Sequence, residues 1–158
     1  MTARIIRNRD IESEAEFDRY LNGSPGGSFI PPGFLPDMEE AVRRISRAVQ
    51  EKRRLRIVGD YDIDGVCSTA ILYKGFKRIG ACADYVIPER IRDGYGINEH
   101  IIEAAAKDGI QTIVTCDNSI AAISQIALAK ELGLEVIITD HHDIQTNEET
   151  GEDLMPPA

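Results

Sequence analysis

The chain has 158 residues, 42% hydrophobic and 28% charged, with no tryptophan and a formal net charge of −9 at pH 7. That length suits one domain with a small extension, no apolar run comes near the roughly 20 residues of a membrane span, and Arg4, Arg7 and Arg9 followed by acids are no signal peptide. The acidity argues against a module that coats nucleic acid through a basic face, and Cys67, Cys82 and Cys116, with no C-x-x-C pair, read as reduced thiols of a cytoplasmic protein.

Residues 1–21 carry a weak helical pattern through Ile11, Ala15, Phe17 and Leu21. Residues 22–36, NGSPGGSFIPPGFLP, are rich in Gly and Pro and predict an irregular connection. An N-terminal extension over 1–36 therefore precedes a domain over 37–158. Asp37 predicts an N-cap, because Met38, Ala41, Val42, Ile45, Ala48 and Val49 recur after it at helical spacing. Lys52-Arg53-Arg54 suit the C-terminal end of that helix as a solvated cluster.

From residue 55 a rhythm sets in. LRIV (55–58) predicts a strand, followed by DYDIDG and a helix from Ser68 to Ile79. CADYVIP (82–88) predicts a second strand, followed by ERIRDGYGIN and a helix over 98–107. QTIVTC (111–116) predicts a third, followed by DNS and a helix to about Leu132. LEVIIT (134–139) predicts a fourth, followed by DHHD. Strands alternating with helices imply an α/β fold with a parallel β-sheet sandwiched by helices. The near-continuous apolar strands fit burial on both faces.

DYDIDG (60–65) matches the first half of a calcium loop of the EF-hand type. The second half fails: counted from Asp60, position twelve is Ile71 where a glutamate is needed. The flank is a strand, not a helix. The acids instead share a position in the rhythm. Asp60, Asp62 and Asp64 follow the first strand, Asp117 the third, and Asp140, His141, His142 and Asp143 the fourth. All strand C-termini of a parallel sheet lie on one edge, where open α/β sheets bind ligands. Carboxylates and imidazoles gathered there without thiolates suit manganese or magnesium better than structural zinc. A cluster of this size has room for two divalent ions, which makes a phosphate ester the natural substrate class. Bound cations invert the field that would otherwise repel phosphate.

GDYDIDG (59–65), VTCDNSI (114–120) and ITDHHD (138–143) resemble the first three motifs of the DHH phosphoesterase superfamily. IPERIRDGYGIN (87–98) resembles the P-x-R-x-x-x-G-Y-G element of its RecJ branch, and RNRDI (7–11) and DMEEAVRRI (37–45) look RecJ-like as well. The resemblance implies a DHH-type phosphoesterase domain, the N-terminal catalytic part of an exonuclease. Such a protein hydrolyses single-stranded DNA 5′ to 3′ in DNA repair and recombination, by two-metal phosphodiester hydrolysis with manganese or magnesium. By the same resemblance Asp62, Asp64, Asp117 and His141 are metal ligands, Asp117 bridging two ions. His142 faces the scissile phosphate, and Asp60 and Asp140 support from behind. Arg90, Gly94, Tyr95 and Gly96 belong to the substrate-binding element.

The sequence departs from the family pattern in places. Ser119 stands where motif two usually ends in glycine; its hydroxyl would suit a helix N-cap, but a positive φ there would be strained. Val58 stands where some relatives carry a metal-binding histidine. The family's fourth motif and its DHH-associated domain are expected beyond Ala158, which makes the chain a truncated one with weak or no activity alone. Other readings keep or change the chemistry. A DHH phosphodiesterase for short oligonucleotides or cyclic dinucleotides keeps it. A non-catalytic replication or repair scaffold abandons it. An aspartyl-phosphate phosphatase would use Asp62-Ile63-Asp64-Gly65-Val66, but lacks a suitable late acidic pair. Plainer roles remain for single residues: Asp62 and Asp117 as helix caps, Arg90 in a surface ion pair, Tyr95 in loop packing, His100 solvated on a helix. QTNEETGED (145–153) predicts a flexible acidic loop. Protein partners and oligomeric state are not written in the sequence.

Overall fold

The computed structural model describes residues 6, 8–9, 11–23, 31–89 and 96–158. Arg90, Gly94 and Tyr95 therefore lie outside the described residues. The chain divides into two compact units, Met1–Glu40 and Ala41–Ala158. Among the described residues no helix is long and apolar enough to cross a membrane.

In the first unit, α1 (Glu14–Asn22) starts at a capping box. Ser13 Oγ accepts from the Glu16 N–H at 3.2 Å while Glu16 Oε2 accepts from the Ser13 N–H at 3.0 Å, which satisfies donors a helix start leaves open. A single 3-10 turn follows at Pro32–Phe34. Asp37 is not the N-cap expected. Its φ of 55° places it in the left-handed region, which a short polar side chain tolerates and which differs from the extended backbone of a cap.

Helix α2 (Met38–Gln50) leads into the second unit. There β1 (Arg54–Val58), α3 (Ile63–Arg78), β2 (Cys82–Val86), α4 (Glu99–Lys107), β3 (Thr112–Cys116), α5 (Ile123–Glu131) and β4 (Glu135–Thr139) alternate. The four strands form one parallel sheet in the order β2-β1-β3-β4. Successive strand side chains point to opposite faces, so two cores form. Leu55, Ile57 and Val114 pack with Ala48 of α2 and Phe76 of α3. Val58, Ile113 and Val136 pack with Ile101 and Ile102 of α4 and Ile126 of α5. The predicted parallel α/β layering is thus present.

The strand order places the site. From β1 the chain passes through α3 to β2 on one side; from β2 it returns through α4 to β3 on the other side of β1. The crevice between the C-terminal ends of β1 and β3 is therefore the topological switch point, where ligands of such sheets bind. Helix α3 starts five residues earlier than the apolar periodicity predicts, because Asp62 Oδ1 accepts from the Gly65 N–H at 3.0 Å and caps it. Asn98 caps α4 through the Ile101 N–H at 2.9 Å.

Two further expectations need correction. Arg53 is not a merely solvated helix-end charge: with Arg44 and Arg47 it converges on Glu135, at 3.1, 2.8 and 3.0 Å respectively. The segment 145–153 is not a structureless loop. It forms an antiparallel hairpin of β5 (Gln145–Thr146) and β6 (Asp153–Leu154). Asn147 Oδ1 closes its turn on the Glu149 and Thr150 N–H groups at 2.9 and 3.1 Å, an Asx-turn, and Gly151 supplies a φ of 71°.

Candidate metal centre

The turn after β1 is unusually close-packed. A Cβ on Gly59 would collide with the Thr69 side chain, and one on Gly65 would sit 2.5 Å from the Asp60 carbonyl oxygen. Only glycine lets the first turn of α3 settle on the Asp60 backbone. Asp60 is consequently 1% exposed, and among the described residues its Oδ1 has no hydrogen-bond partner. A buried carboxylate oxygen left unpaired is costly; a cation would answer it. Asp62, two residues on, sits at the helix start, and the Gly65 N–H holds its carboxyl below the ordinary carboxylate range.

Asp117 leaves β3 with φ 63° and is 8% exposed. Burial, and then the Asp62 charge, push its carboxyl above the ordinary range, against the opposing pull of His141. Ser119 has φ 91°. It does not cap the next helix: α5 starts after Ala122 without a side-chain cap, and the Ser119 hydroxyl donates to Asn118 Oδ1 at 2.5 Å.

The loop after β4 turns on Asp140. Its side chain is 2% exposed and accepts from the Ile120 N–H at 2.9 Å, the His141 N–H at 2.8 Å and the His142 N–H at 3.2 Å. Burial raises its carboxyl, but the Ile120 N–H and His142 outweigh that and hold it low. His142 Nδ1 lies 2.6 Å from Asp140 Oδ1, and this contact raises the imidazole's pKa. His141 Nε2 lies 2.8 Å from Asp117 Oδ1.

These loops meet. Asp60, Asp62 and Asp117 form one group, and Asp117, His141 and His142 another; within each, one ligand atom per residue lies within 4.8 Å of the others. Asp117 is shared. The donors are carboxylate oxygens and imidazole nitrogens, a set suited to hard or borderline divalent ions. Cys116, the nearest thiol in sequence, is buried with its Sγ 3.4 Å from Thr69 Oγ1. The residues present therefore fit a divalent metal.

Of the residues picked from sequence, Asp60, Asp62, Asp117, His141 and His142 come together, with Asp140 bonded to the backbone N–H of both histidines and to the His142 ring. Asp64 is exposed on the first turn of α3 and joins neither group. Gly96, φ 69°, packs beside Asn118, whose Cβ would be 3.4 Å from an added Cβ. His100 is exposed on α4. Sequence reasoning passed over Asn118, which is fully buried and which no local pattern marks out.

The family described as "DHH family, N-terminal domain" matches residues 54–157. The chain belongs to the DHH family. It is 37% identical over 143 residues to the single-stranded-DNA-specific exonuclease RecJ of Bacillus subtilis (strain 168), covering 90% of this chain and 18% of that protein. It is 36% identical over 140 residues to RecJ of Haemophilus influenzae, covering 88% of this chain and 24% of that protein. The chain thus spans about a fifth of the length of these curated relatives. A crystal structure of exonuclease RecJ bound to manganese superposes with a TM-score of 0.68 at 32% identity, over 81% of this chain and 30% of that one. The DHH motif that names the family is Asp140-His141-His142 here: Asp140 meets the His142 ring at 2.6 Å, and a ring nitrogen of each histidine lies within 4.8 Å of an Asp117 oxygen.

Proposed function

We propose that the chain is the metal-dependent catalytic domain of a RecJ-like exonuclease that degrades single-stranded DNA 5′ to 3′. The observation that carries this is Asp117, one carboxylate shared by two ligand groups at the switch point of the sheet. Support comes from the similarity to proteins named RecJ over about nine-tenths of this chain. In this reading Asp60, Asp62, Asp117 and His141 hold two divalent cations, manganese or magnesium, with Asp64 as a further carboxylate on the rim. Bound there, such cations lower the pKa of water and offset charge on phosphate oxygens.

The chain's own residues supply placement. Asp140 fixes the His142 ring and the loop that carries it, so His142 is held toward the phosphate rather than searching for it. Gly96 ends the loop whose Arg90 and Tyr95 are proposed to contact the DNA, the arginine fork suiting two phosphate oxygens. For the 158 residues alone we expect weak or no hydrolysis, because the relatives carry much more chain with which to position a strand.

The test is release of mononucleotides from end-labelled single-stranded DNA with manganese by the whole protein, beside its Asp117→Asn variant. The expected loss is about 1,000-fold, the several kcal/mol a metal centre supplies. Equal activity in the variant, or preferential turnover of dinucleotides over long strands, would refute the proposal.

A further inference from the structure

Beyond the last registered pair of β1 and β3, Val58↔Thr115, a backbone N–H of each loop that carries the carboxylates bonds outward, away from the other loop. The Gly59 N–H donates to the Val86 carbonyl on the outer side of β1, at 3.1 Å, and the Asp117 N–H donates to the Thr139 carbonyl on the outer side of β3, at 2.9 Å. Something must hold the crevice at its width.

Asn118 spans it. Its side chain is 0% exposed. Nδ2 donates to the Val58 carbonyl at the end of β1, at 3.1 Å, and to the Cys116 carbonyl at the end of β3, at 2.9 Å. Two carbonyls only accept, so the group facing them is the NH2 and the amide orientation is fixed. Oδ1 accepts from Ser119 Oγ at 2.5 Å, and the Asn118 carbonyl accepts from Thr115 Oγ1 at 3.1 Å. The positive φ values of Asp117 and Ser119, 63° and 91°, turn this side chain inward. Conformations that cost free energy at non-glycine residues persist where the surroundings over-determine them, and here four hydrogen bonds do so.

We propose that Asn118 is a positioning residue: by bridging the ends of β1 and β3 it sets the separation of Asp60 and Asp62 from Asp117, and so the fit of the centre to its cation. The bridge itself stands on hydrogen-bond geometry; its consequence for metal binding rests on the function proposed above. An amide is suited to the task because it supplies two donors on one rigid plane. Leucine would fill the volume and supply none.

Isothermal titration of the 158-residue chain with manganese, with amide hydrogen exchange of the metal-free protein, compares wild type, Asn118→Leu, Ser119→Ala and Ile126→Val. Ile126 is a core position of α5 on one face of the sheet and controls for simple loss of stability. Asn118→Leu is expected to weaken manganese binding on the order of 10–100-fold, the range seen when groups that orient ligands are removed. It should also speed exchange at residues 59–62 and 117–120. Ile126→Val is expected to do neither. If Asn118→Leu does not fold, Ser119→Ala decides, with about a threefold loss expected from one hydrogen bond. Affinity and exchange both matching Ile126→Val in the folded variant would overturn the proposal. A wild-type chain that binds no manganese would sink the metal reading instead, and the exchange data would then judge the bridge on their own.

Discussion

His141 Nε2 lies 2.8 Å from Asp117 Oδ1, so the loops after β4 and β3 are joined at one side of the crevice by two groups that could instead share a cation. His141 is 69% exposed, and its removal should cost the metal-free fold no more than about 0.5 kcal/mol, as at other surface positions. Manganese at about 100 times its Kd should stabilise the wild type by about 2.7 kcal/mol. For a chain of this size that is a rise in Tm of about 5–10 °C. We expect the rise to be absent in Asp117→Ala and much reduced in His141→Ala, measured by thermal denaturation with manganese and with chelator. A full rise in both variants would show that the ion binds elsewhere.

Asp62 separates a structural role from a metal role. As a cap it needs only an acceptor oxygen for the Gly65 N–H; as a ligand it needs its charge. Asp62→Asn keeps the acceptor and removes the repulsion that helps raise the Asp117 carboxyl. Relief of that repulsion opposes the loss of a charged acceptor that the Gly65 N–H favours, so the metal-free variant should change little in stability, while its manganese-induced rise in Tm disappears. Loss of stability without loss of metal response would mean that Asp62 is a cap and nothing more.

Much of this was legible in the sequence, and what was not has physical reasons. Four mainly apolar runs gave the strands within a residue or two, although only β3 is buried along its whole length and Arg56 and Asp84 interrupt β1 and β2. Acids at three strand ends located the crevice, since a parallel sheet collects those ends on one edge. The division of labour within DYDIDG was not readable. In an extended chain Asp60, Asp62 and Asp64 would share one face. Here the helix begins at Ile63, so Asp64 is carried round the helix axis, while Gly65 presses Asp60 into the interior. The early start itself was hidden because the first turn of α3 is exposed, and its Ile63 and Val66 do not mark a buried face. Asn118 was missed for a different reason: its value lies in reaching Val58, 60 residues away, and no local pattern encodes that.

The tight turn makes a paired prediction on glycines of one helix. Gly65→Ala gains helix propensity, but its Cβ would lie 2.5–2.6 Å from the carbonyl O, C and Cα of Asp60. Backbone must shift, at a cost of about 1–3 kcal/mol, and Asp60 must shift with it. Gly75→Ala, with nothing within 4 Å of the added Cβ, should stabilise by about 0.5–1 kcal/mol. Chemical denaturation of the two variants checks this. Manganese binding should weaken only in Gly65→Ala, and equal stability of the two would contradict the packing described for the turn.

The arginine cluster at the opposite end of β4 gives a stability prediction independent of the metal centre. Glu135 is 15% exposed and receives Arg44, Arg47 and Arg53. Burial alone would raise its carboxyl, but the arginines, Arg44 foremost, outweigh burial and hold it below its ordinary value of 4.5. A carboxyl depressed in the folded state stabilises the fold above its unfolded pKa, and the contribution fades as pH falls through the folded one. Glu135→Gln should therefore destabilise by about 2 kcal/mol at neutral pH, the scale of hydrogen bonds to charged groups, or a fall in Tm of about 4–8 °C. The difference should stay constant down to about pH 5 and shrink progressively below the ordinary value of 4.5, because the wild type is then losing the same charge. Denaturation across pH 3–8 with chelator present, so that the metal centre does not contribute, measures it. A difference that grows toward acid would mean that the three arginines do not depend on the Glu135 charge.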